Sequence, residues 1–276
     1  MVEGQRIPLV RWSMLNMFLR AGHLNRSGQF GDGREQALVE HVVSHTRAGD
    51  IDDVIAGIDW FAYHRSWLFN IGDEKGQLLD DAVRRSESRL AVELGTYCGY
   101  SALRIARAAP STVVFSVEQF LGNAAVARHI WAHAGVSDRI TCVIGRIADG
   151  GHTLDLLQQC GLGPGIVDFL LLDHDKSAYV ADLCSIVERG WLHPGSVVLA
   201  DNVKTPGAPE YLAYMRDRQG QDWQTVEHET HLEYQTWIND VVLESVSLAQ
   251  KPDPAQPLPA PIRRRTASPC SSQSHP

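Results

Sequence analysis

The stretch LLLDHDKSAY, residues 170–179, passes from an apolar run directly into four ionisable residues: Asp173, His174, Asp175 and Lys176. An unpaired charge in a protein interior costs several kcal/mol or is neutralised. The four residues therefore form either a solvated turn after a strand or the working edge of an active site.

Other apolar runs also lead into acidic or amide side chains. Glu93 lies in VELG, Glu118 ends VVFSVE, and Asp201 with Asn202 follows VVLA. Two carboxylates and an amide oxygen are hard ligands that suit Mg²⁺. If their strands are neighbours, Asp173, Asp201 and Asn202 form a candidate magnesium site. A lone Asp-Asn pair after a strand is more often a turn.

The segment VELGTYCGYSA, residues 92–102, has the layout of a strand, a loop with two glycines and a helix. Such a loop offers backbone N–H groups to a ligand, but its spacing is not the dinucleotide G-x-G-x-x-G. Glu93 would repel a pyrophosphate, and Glu118 follows at about the ~20-residue distance of a ribose-binding acid. Both acids suit a positively charged nucleoside such as S-adenosylmethionine. A tight turn with a capping acid is the alternative for either feature alone.

The elements that would position these residues alternate along the chain. Two helix-like segments, EQALVEHVVSHT and IDDVIAGIDWFAYH, precede five strand-helix units that run from RLAVELG to PEYLAYMRDRQ. This pattern predicts an α/β fold with a parallel sheet and helices on both faces, whose ligands bind beyond the carboxyl ends of the strands. The two extended segments in residues 223–248 predict a C-terminal antiparallel hairpin.

The predicted organisation is a helical extension at 1–30, one domain at 31–250 and a disordered, Pro/Ser-rich tail at 251–276. Arg11 and Arg20 interrupt the apolar residues of the extension. We expect this helix to pack on the domain, with contact to a membrane surface as the alternative.

Composition excludes several classes of protein. The 25 Lys and Arg residues against 33 Asp and Glu give a net charge of -8, which disfavours nucleic-acid binding. The five cysteines form no C-x-x-C pair, which disfavours a disulfide framework or a thiolate zinc site and indicates a reducing cytoplasm. No apolar run reaches the ~18 residues of a transmembrane helix.

Five segments closely resemble the catechol O-methyltransferase family, in the same order and at similar separations. They are NIGDEKGQLLD, VELGTYCGYSALRIAR, LLLDHDKSAY, VVLADNVKTPGAPEYLAYMR and HLEY. The resemblance implies a Rossmann-like class I methyltransferase fold with a mostly parallel seven-stranded sheet. It also implies S-adenosylmethionine as methyl donor and Mg²⁺ that chelates both oxygens of a catechol.

The resemblance assigns roles to individual residues. Lys176 matches the general base, and Glu233 matches the acid that holds the second hydroxyl. The implied metal ligands are Asp173, Asp201 and Asn202. The implied cofactor contacts are Phe69, Ile71, Glu93, Gly95, Tyr97, Ser101, Glu118 and Asp173, with Glu118 on the ribose. The implied acceptor contacts are Trp67, Lys176, Asn202, Pro206 and Glu233.

Four residues depart from the family. Asp175 replaces a tryptophan, Ile147 and Ala148 replace a Ser-Gln pair near the adenine, and Lys204 replaces an apolar residue at the substrate rim. We expect Asp175 to be solvated and to leave the mouth of the site more open. The sharper hypothesis is that it selects a cationic or bulkier catechol. His174 is expected to support the site from behind or to face the cofactor, because Mg²⁺ prefers oxygen ligands.

The leading hypothesis is therefore a cytoplasmic, Mg²⁺-dependent catechol O-methyltransferase that acts on a small molecule. One alternative is a methyltransferase for another phenolic acceptor with vicinal hydroxyls. The other is a catalytically reduced homologue that serves as a binding protein, which the intact set of base, acid and metal positions disfavours.

Overall fold

The computed structural model describes Leu24 and residues 26–248. The predicted tail at 251–276 and most of the predicted extension at 1–30 lie outside the described residues, so both stay predictions, as does the cytoplasmic location. Among the described helices, none combines the length and hydropathy that a bilayer-spanning segment needs.

From Arg34 onwards, three helices precede the sheet, of which the periodicity predicts the first two, and eight further elements alternate as predicted. The helices are α1 (Arg34–His45), α2 (Ile51–His64) and α3 (Gly72–Arg85). The alternating elements are β1 (Leu90–Leu94), α4 (Tyr100–Ala108), β2 (Val113–Glu118), α5 (Leu121–His133), β3 (Ile140–Ile144), α6 (His152–Gln159), β4 (Val167–Leu172) and α7 (Tyr179–Glu188).

The last part of the described chain contributes a fifth parallel strand and a hairpin. These elements are β5 (Leu192–Ala200), α8 (Pro209–Asp217), β6 (Trp223–His231) and β7 (Asn239–Ser247). Two short helical turns lie at strand ends: the 3₁₀ turn Lys176–Ala178 follows β4, and the irregular turn Val203–Gly207 follows β5.

The seven strands form one sheet in the order β3-β2-β1-β4-β5-β7-β6. Strands β1 to β5 pair in parallel, while β7 pairs antiparallel with both β5 and β6. The predicted parallel sheet with a C-terminal antiparallel hairpin is confirmed. The strand order reverses between β1 and β4, and ligands of such sheets bind at that reversal, beyond the carboxyl ends of the strands.

Strand β4 shows why its sequence is apolar throughout. Phe169 and Leu171 pack in one core cluster with residues of α1 to α5, whereas Leu170 and Leu172 pack in a second cluster with residues of α6 to α8. All four side chains are fully buried. Burial of each of these side chains stabilises the folded state by about 1.5–3 kcal/mol. The helices therefore cover both faces of the sheet.

Candidate active site

Backbone hydrogen bonds continue the sheet beyond the ends of β1, β4 and β5. The N–H of Asp173 donates to the Leu94 carbonyl at 2.9 Å, and the N–H of Asp201 donates to the Leu172 carbonyl at 3.0 Å. These bonds place the first residue after β4 beside β1 and the first residue after β5 beside β4. The structure thus brings Asp173 and Asp201 to the same edge of the sheet.

Lys176 lies in the 3₁₀ turn that follows β4, with its ammonium directed back to the strand ends. Its Nζ is 3.0 Å from Asp173 Oδ1 and 2.8 Å from the hydroxyl oxygen of Tyr179. The Tyr179 hydroxyl donates to the Leu172 carbonyl at 2.7 Å. Tyr179, which the sequence indicated only as part of a helix, therefore holds the predicted base beside a predicted metal ligand.

Asn202 adopts the left-handed conformation, with φ 56° and ψ 37°, which asparagine tolerates better than most residues. Its amide nitrogen donates to Glu233 Oε1 and to Asp240 Oδ2, each at 2.9 Å. Since the nitrogen is engaged on that side, the carbonyl oxygen is the atom left to act as a ligand.

A buried lysine lies at the centre of these acids. Lys75 Nζ is 2.7 Å from Asp201 Oδ1, 2.6 Å from Glu233 Oε1 and 3.1 Å from Asp240 Oδ2. Burial alone would lower the pKa of Lys75, but the three carboxylates outweigh burial and raise that pKa above its ordinary value. The three carboxylates therefore favour the charged form of Lys75. Sequence reasoning missed this lysine, although it lies within the quoted segment NIGDEKGQLLD.

The remaining oxygens of this cluster fit a divalent cation. Asp201 Oδ2 and Glu233 Oε2 are buried and accept no hydrogen bond from the part of the chain that the structure describes. Burial, together with the nearby Asp173 and Glu233, raises the pKa of Asp201 to about 7 in spite of Lys75. Hard oxygen donors with excess negative charge are the environment that Mg²⁺ prefers. The predicted ligands Asp173, Asp201 and Asn202 are therefore compatible with Mg²⁺.

Gly95 allows the loop after β1 to approach the end of β4. Its φ is 103°, and a Cβ atom there would overlap the carbonyl oxygen of Asp173. Only glycine meets both conditions without strain. The loop that follows is held by Glu118, whose carboxylate accepts from the N–H of Tyr97 at 2.9 Å and from that of Phe120 at 2.8 Å. The predicted cofactor residues Gly95, Tyr97 and Glu118 thus converge where the strand order reverses.

Two of the predicted cofactor residues, Glu93 and Ser101, form a buried pair at the two ends of this loop. Glu93 is fully buried, and its carboxylate oxygens accept hydrogen bonds from the hydroxyls of Ser101 and Ser116. Burial raises the pKa of Glu93 to about 8. Both oxygens accept from serines, so Glu93 joins β1 to the start of α4 and to β2, and its contact with the cofactor stays a prediction. Ser116 was missed because it lies inside an apolar strand.

The aromatic residues predicted to surround the acceptor and cofactor differ in exposure. Trp67 is buried, and its indole N–H donates to the Glu233 carbonyl at 3.1 Å. Phe69 is 41% exposed, and its ring centroid lies 5.9 Å from that of Trp67. Ile71 is buried at the start of α3, whereas Pro206 is exposed in the turn after β5. Trp67 therefore lies directly against Glu233, and Phe69 and Pro206 remain available to a ligand.

A model of the O-methyltransferase family matches residues 50–211. The chain belongs to the O-methyltransferase family. A probable O-methyltransferase of Mycobacterium tuberculosis is 62% identical to it over 223 residues, which cover 81% of this chain and 96% of that protein. Catechol O-methyltransferase B of Danio rerio is 38% identical over 216 residues, which cover 78% of this chain and 79% of the relative. The predicted resemblance to the catechol O-methyltransferase family is confirmed.

Solved structures show the same fold. An O-methyltransferase from Bacillus cereus in complex with SAH has a TM-score of 0.57 and 19% identity, covering 76% of this chain and 90% of that chain. The O-methyltransferase TomG from Streptomyces achromogenes, solved with SAM, has a TM-score of 0.54 and 24% identity, covering 63% and 80%. The predicted class I methyltransferase fold is therefore confirmed for this O-methyltransferase.

Two residues of the opening motif have structural partners in this O-methyltransferase. The exposed Asp175 caps the 3₁₀ turn, because its Oδ1 accepts from the N–H of Ser177 at 3.0 Å and from its hydroxyl at 2.8 Å. His174 Nε2 is 2.9 Å from Asp182 Oδ2 on α7, and its ring packs against Tyr179 with centroids 5.0 Å apart. Asp175 is thus solvated, as expected, and His174 supports the turn from behind.

The other departures from the family lie in loops of the O-methyltransferase. Ile147 is buried and lines, with Ala148 and Leu154, a cavity of about 450 Å³ beside α6. Lys204 has an exposed side chain, and its N–H donates to Asp240 Oδ1 at 3.3 Å. Ile147 is therefore part of the core, while Lys204 is exposed in the same turn as Pro206.

Proposed function

We propose that this O-methyltransferase transfers the methyl group of S-adenosylmethionine to a hydroxyl of a catechol, with Lys176 as general base. Asp173, Asp201 and Asn202 would hold Mg²⁺. The observation that carries the proposal is that Lys176 and Glu233 each lie beside one of the two proposed carboxylate ligands. Lys176 contacts Asp173, and Glu233 is joined to Asp201 through Lys75.

When bound, Mg²⁺ would stabilise the acceptor oxyanion, and S-adenosylmethionine would supply the methyl group as a sulfonium. In its neutral form, Lys176 takes the proton of the attacking hydroxyl at Nζ. Tyr179 and Asp173 keep that nitrogen at the end of β4. The base is thus held in place by contacts on two sides.

Glu233 would hold the second hydroxyl of the acceptor. Its Oε1 is engaged by Lys75 and Asn202, whereas Oε2 is buried and accepts no hydrogen bond within the described chain. Trp67 fixes the backbone of the same residue. An acceptor with two adjacent hydroxyls would satisfy both Lys176 and Glu233. Such alignment can supply up to ~7–11 kcal/mol of rate acceleration.

The proposed cofactor contacts surround the loop after β1. Glu118 would receive the ribose hydroxyls beside the Gly95 to Gly99 loop, whose N–H groups at Gly95, Tyr97 and Gly99 already donate within the protein. Glu93 and Ser101, which are hydrogen-bonded to each other at the two ends of this loop, are also proposed to contact the cofactor. The remaining proposed contacts are Phe69, Ile71, Tyr97 and Asp173.

A methyl-transfer assay tests the proposal. The purified protein is incubated with S-adenosylmethionine and Mg²⁺ together with catechol, phenol or resorcinol, and products are identified by mass spectrometry. We expect methylation of catechol alone, loss of activity in excess EDTA and recovery with added Mg²⁺. Equal methylation of phenol would contradict the role of Glu233, and activity that survives full chelation would contradict the metal role. Binding of S-adenosylmethionine without any methylation would favour the alternative of a binding protein.

A further inference from the structure

The ammonium of Lys75 occupies the centre of a cluster with the spacing of a metal site. One carboxylate oxygen from each of Asp201, Glu233 and Asp240 lies within 4.8 Å of the others. Lys75 Nζ is within 3.1 Å of all three acids. The Lys75 side chain is 1% exposed, and the side chains of the three acids are 0–2% exposed. The ammonium and its three carboxylates are therefore shielded from bulk solvent.

We propose that Lys75 is a built-in cation that fills a second cation position and limits the centre to one divalent ion. An ammonium has three N–H donors and no acceptor, so it can donate one hydrogen to each of the three carboxylates. A divalent ion would bind the same oxygens if the ammonium were absent, since three carboxylates are hard ligands. The inference rests on the proposed function for the first ion, at Asp173, Asp201 and Asn202.

The division of oxygens between the two cation positions supports this role. Lys75 engages Oδ1 of Asp201 and Oε1 of Glu233, while Oδ2 and Oε2 of the same residues are buried and accept nothing from the described residues. One oxygen of each acid is thus committed to the ammonium. The other has no donor among the described residues and would be available to a metal ion or an acceptor. In two-metal sites, by comparison, ions about 3.5–4 Å apart share bridging ligands in this way.

The test counts divalent ions in protein stripped of metal. Lys75→Met keeps a long side chain but removes the charge. The matched control is the double variant Lys75→Met with Asp240→Asn. Its second substitution removes a negative charge and one carboxylate ligand of the second cation position. Mn²⁺ serves as the probe, and its bound fraction is measured by electron paramagnetic resonance and by titration calorimetry in wild type and both variants.

We expect Lys75→Met to bind one more Mn²⁺ ion than wild type, and the double variant to bind as many as wild type. Equal numbers in wild type and Lys75→Met would overturn the inference, as would an extra ion retained by the double variant. If wild type binds no ion and Lys75→Met binds one, the proposed metal centre is wrong and the role of Lys75 is supported. The two failures are thus distinguishable.

Circular dichroism covers the case in which Lys75→Met does not fold without metal. A variant that lacks its internal cation should then fold when Mn²⁺ is added, with the midpoint of thermal unfolding rising with Mn²⁺ concentration more steeply than in wild type. A variant that stays unfolded at every Mn²⁺ concentration would overturn the inference.

Discussion

The hydroxyl of Tyr179 joins Lys176 to the end of β4. Its oxygen lies 2.8 Å from Lys176 Nζ, and its hydrogen is directed to the Leu172 carbonyl 2.7 Å away. Because that hydrogen is already donated, the hydroxyl oxygen can only accept from the lysine. Tyr179 therefore positions the ammonium without competing for its proton.

Tyr179→Phe should slow methyl transfer while the protein stays folded. The ring remains in the core, and the Leu172 carbonyl keeps the N–H of Asp201 as a donor. The loss of one hydrogen bond, about 0.5–1.5 kcal/mol, predicts a roughly 2–10-fold fall in kcat with little change in KM. Steady-state kinetics and chemical denaturation measure the two effects.

Tyr211→Phe is the matched control for this variant. Tyr211 is also fully buried, and its ring packs edge-on against Tyr179 with centroids 5.5 Å apart. We expect its kcat to equal that of wild type, because no strand-end lysine contacts this hydroxyl. A similar fall in both variants would show that Tyr179 acts through core packing alone.

Two substitutions of Lys176 distinguish a role as general base from a purely electrostatic role. We expect Lys176→Ala to lower kcat/KM by about 10²–10⁴-fold, the usual contribution of a general base. Lys176→Arg keeps a cation beside Asp173 but does not lose its proton, so it should be equally impaired. Calorimetric binding of S-adenosylmethionine reports whether each variant retains the site. Near-normal turnover by the arginine variant would contradict the base and favour an electrostatic role.

The strand-end residues were predictable from the sequence, but the cluster between them was not. Apolar runs that stop at Asp173 and Asp201 identify the edge of a parallel sheet, and the sheet confirms that placement. Lys75 instead reaches its partners from α3 across 158 residues to Glu233 and 165 residues to Asp240. No local periodicity encodes a contact between elements so distant in the chain. Tyr179 was missed because an aromatic at the start of a helix is more often a core residue.

Gly95 should tolerate no side chain. In Gly95→Ala the new Cβ would overlap the Asp173 carbonyl at a backbone φ of 103°. Gly190→Ala is the matched control, since φ is 67° there and no described atom lies within 4 Å of the position that its new Cβ would take. We expect the control to lose about 1 kcal/mol of unfolding free energy and Gly95→Ala to lose clearly more. Denaturant unfolding and binding of S-adenosylmethionine measure both. Equal losses would show that the close approach to Asp173 is unimportant.

Glu93 should make stability depend on pH. Burial raises the pKa of its carboxyl from 4.5 to about 8. The unfolded chain releases this proton near pH 4.5, whereas the folded protein holds it, so the contribution to stability is complete below about pH 4.5 and is lost as pH rises to about 8. Each pH unit in that window is worth up to ~1.4 kcal/mol. Glu93→Gln should therefore lose less unfolding free energy between about pH 5 and pH 8 than wild type.

Denaturant unfolding at a series of pH values tests this expectation. Asp59, whose pKa burial raises to about 7, contributes to the same slope, so Glu93→Gln should reduce the slope without abolishing it. Glu188→Gln changes an exposed glutamate and should leave the slope unchanged. Parallel pH profiles of wild type and Glu93→Gln would mean that Glu93 is ionised in the folded protein.

Asp175 offers a test of acceptor selection. Asp175→Asn removes the charge but keeps the oxygen that caps the turn at Ser177. We expect wild type to favour a catechol with an ammonium group over one with a carboxylate, and the variant to lower the ratio of their kcat/KM values by up to about 5-fold, as suits an exposed charge. The effect should shrink at high ionic strength, because salt screens exposed charges.

Asp217→Asn, at an exposed acid in the last turn of α8, is the matched control and should leave the ratio unchanged. An unchanged ratio in Asp175→Asn at low salt would limit Asp175 to its capping role.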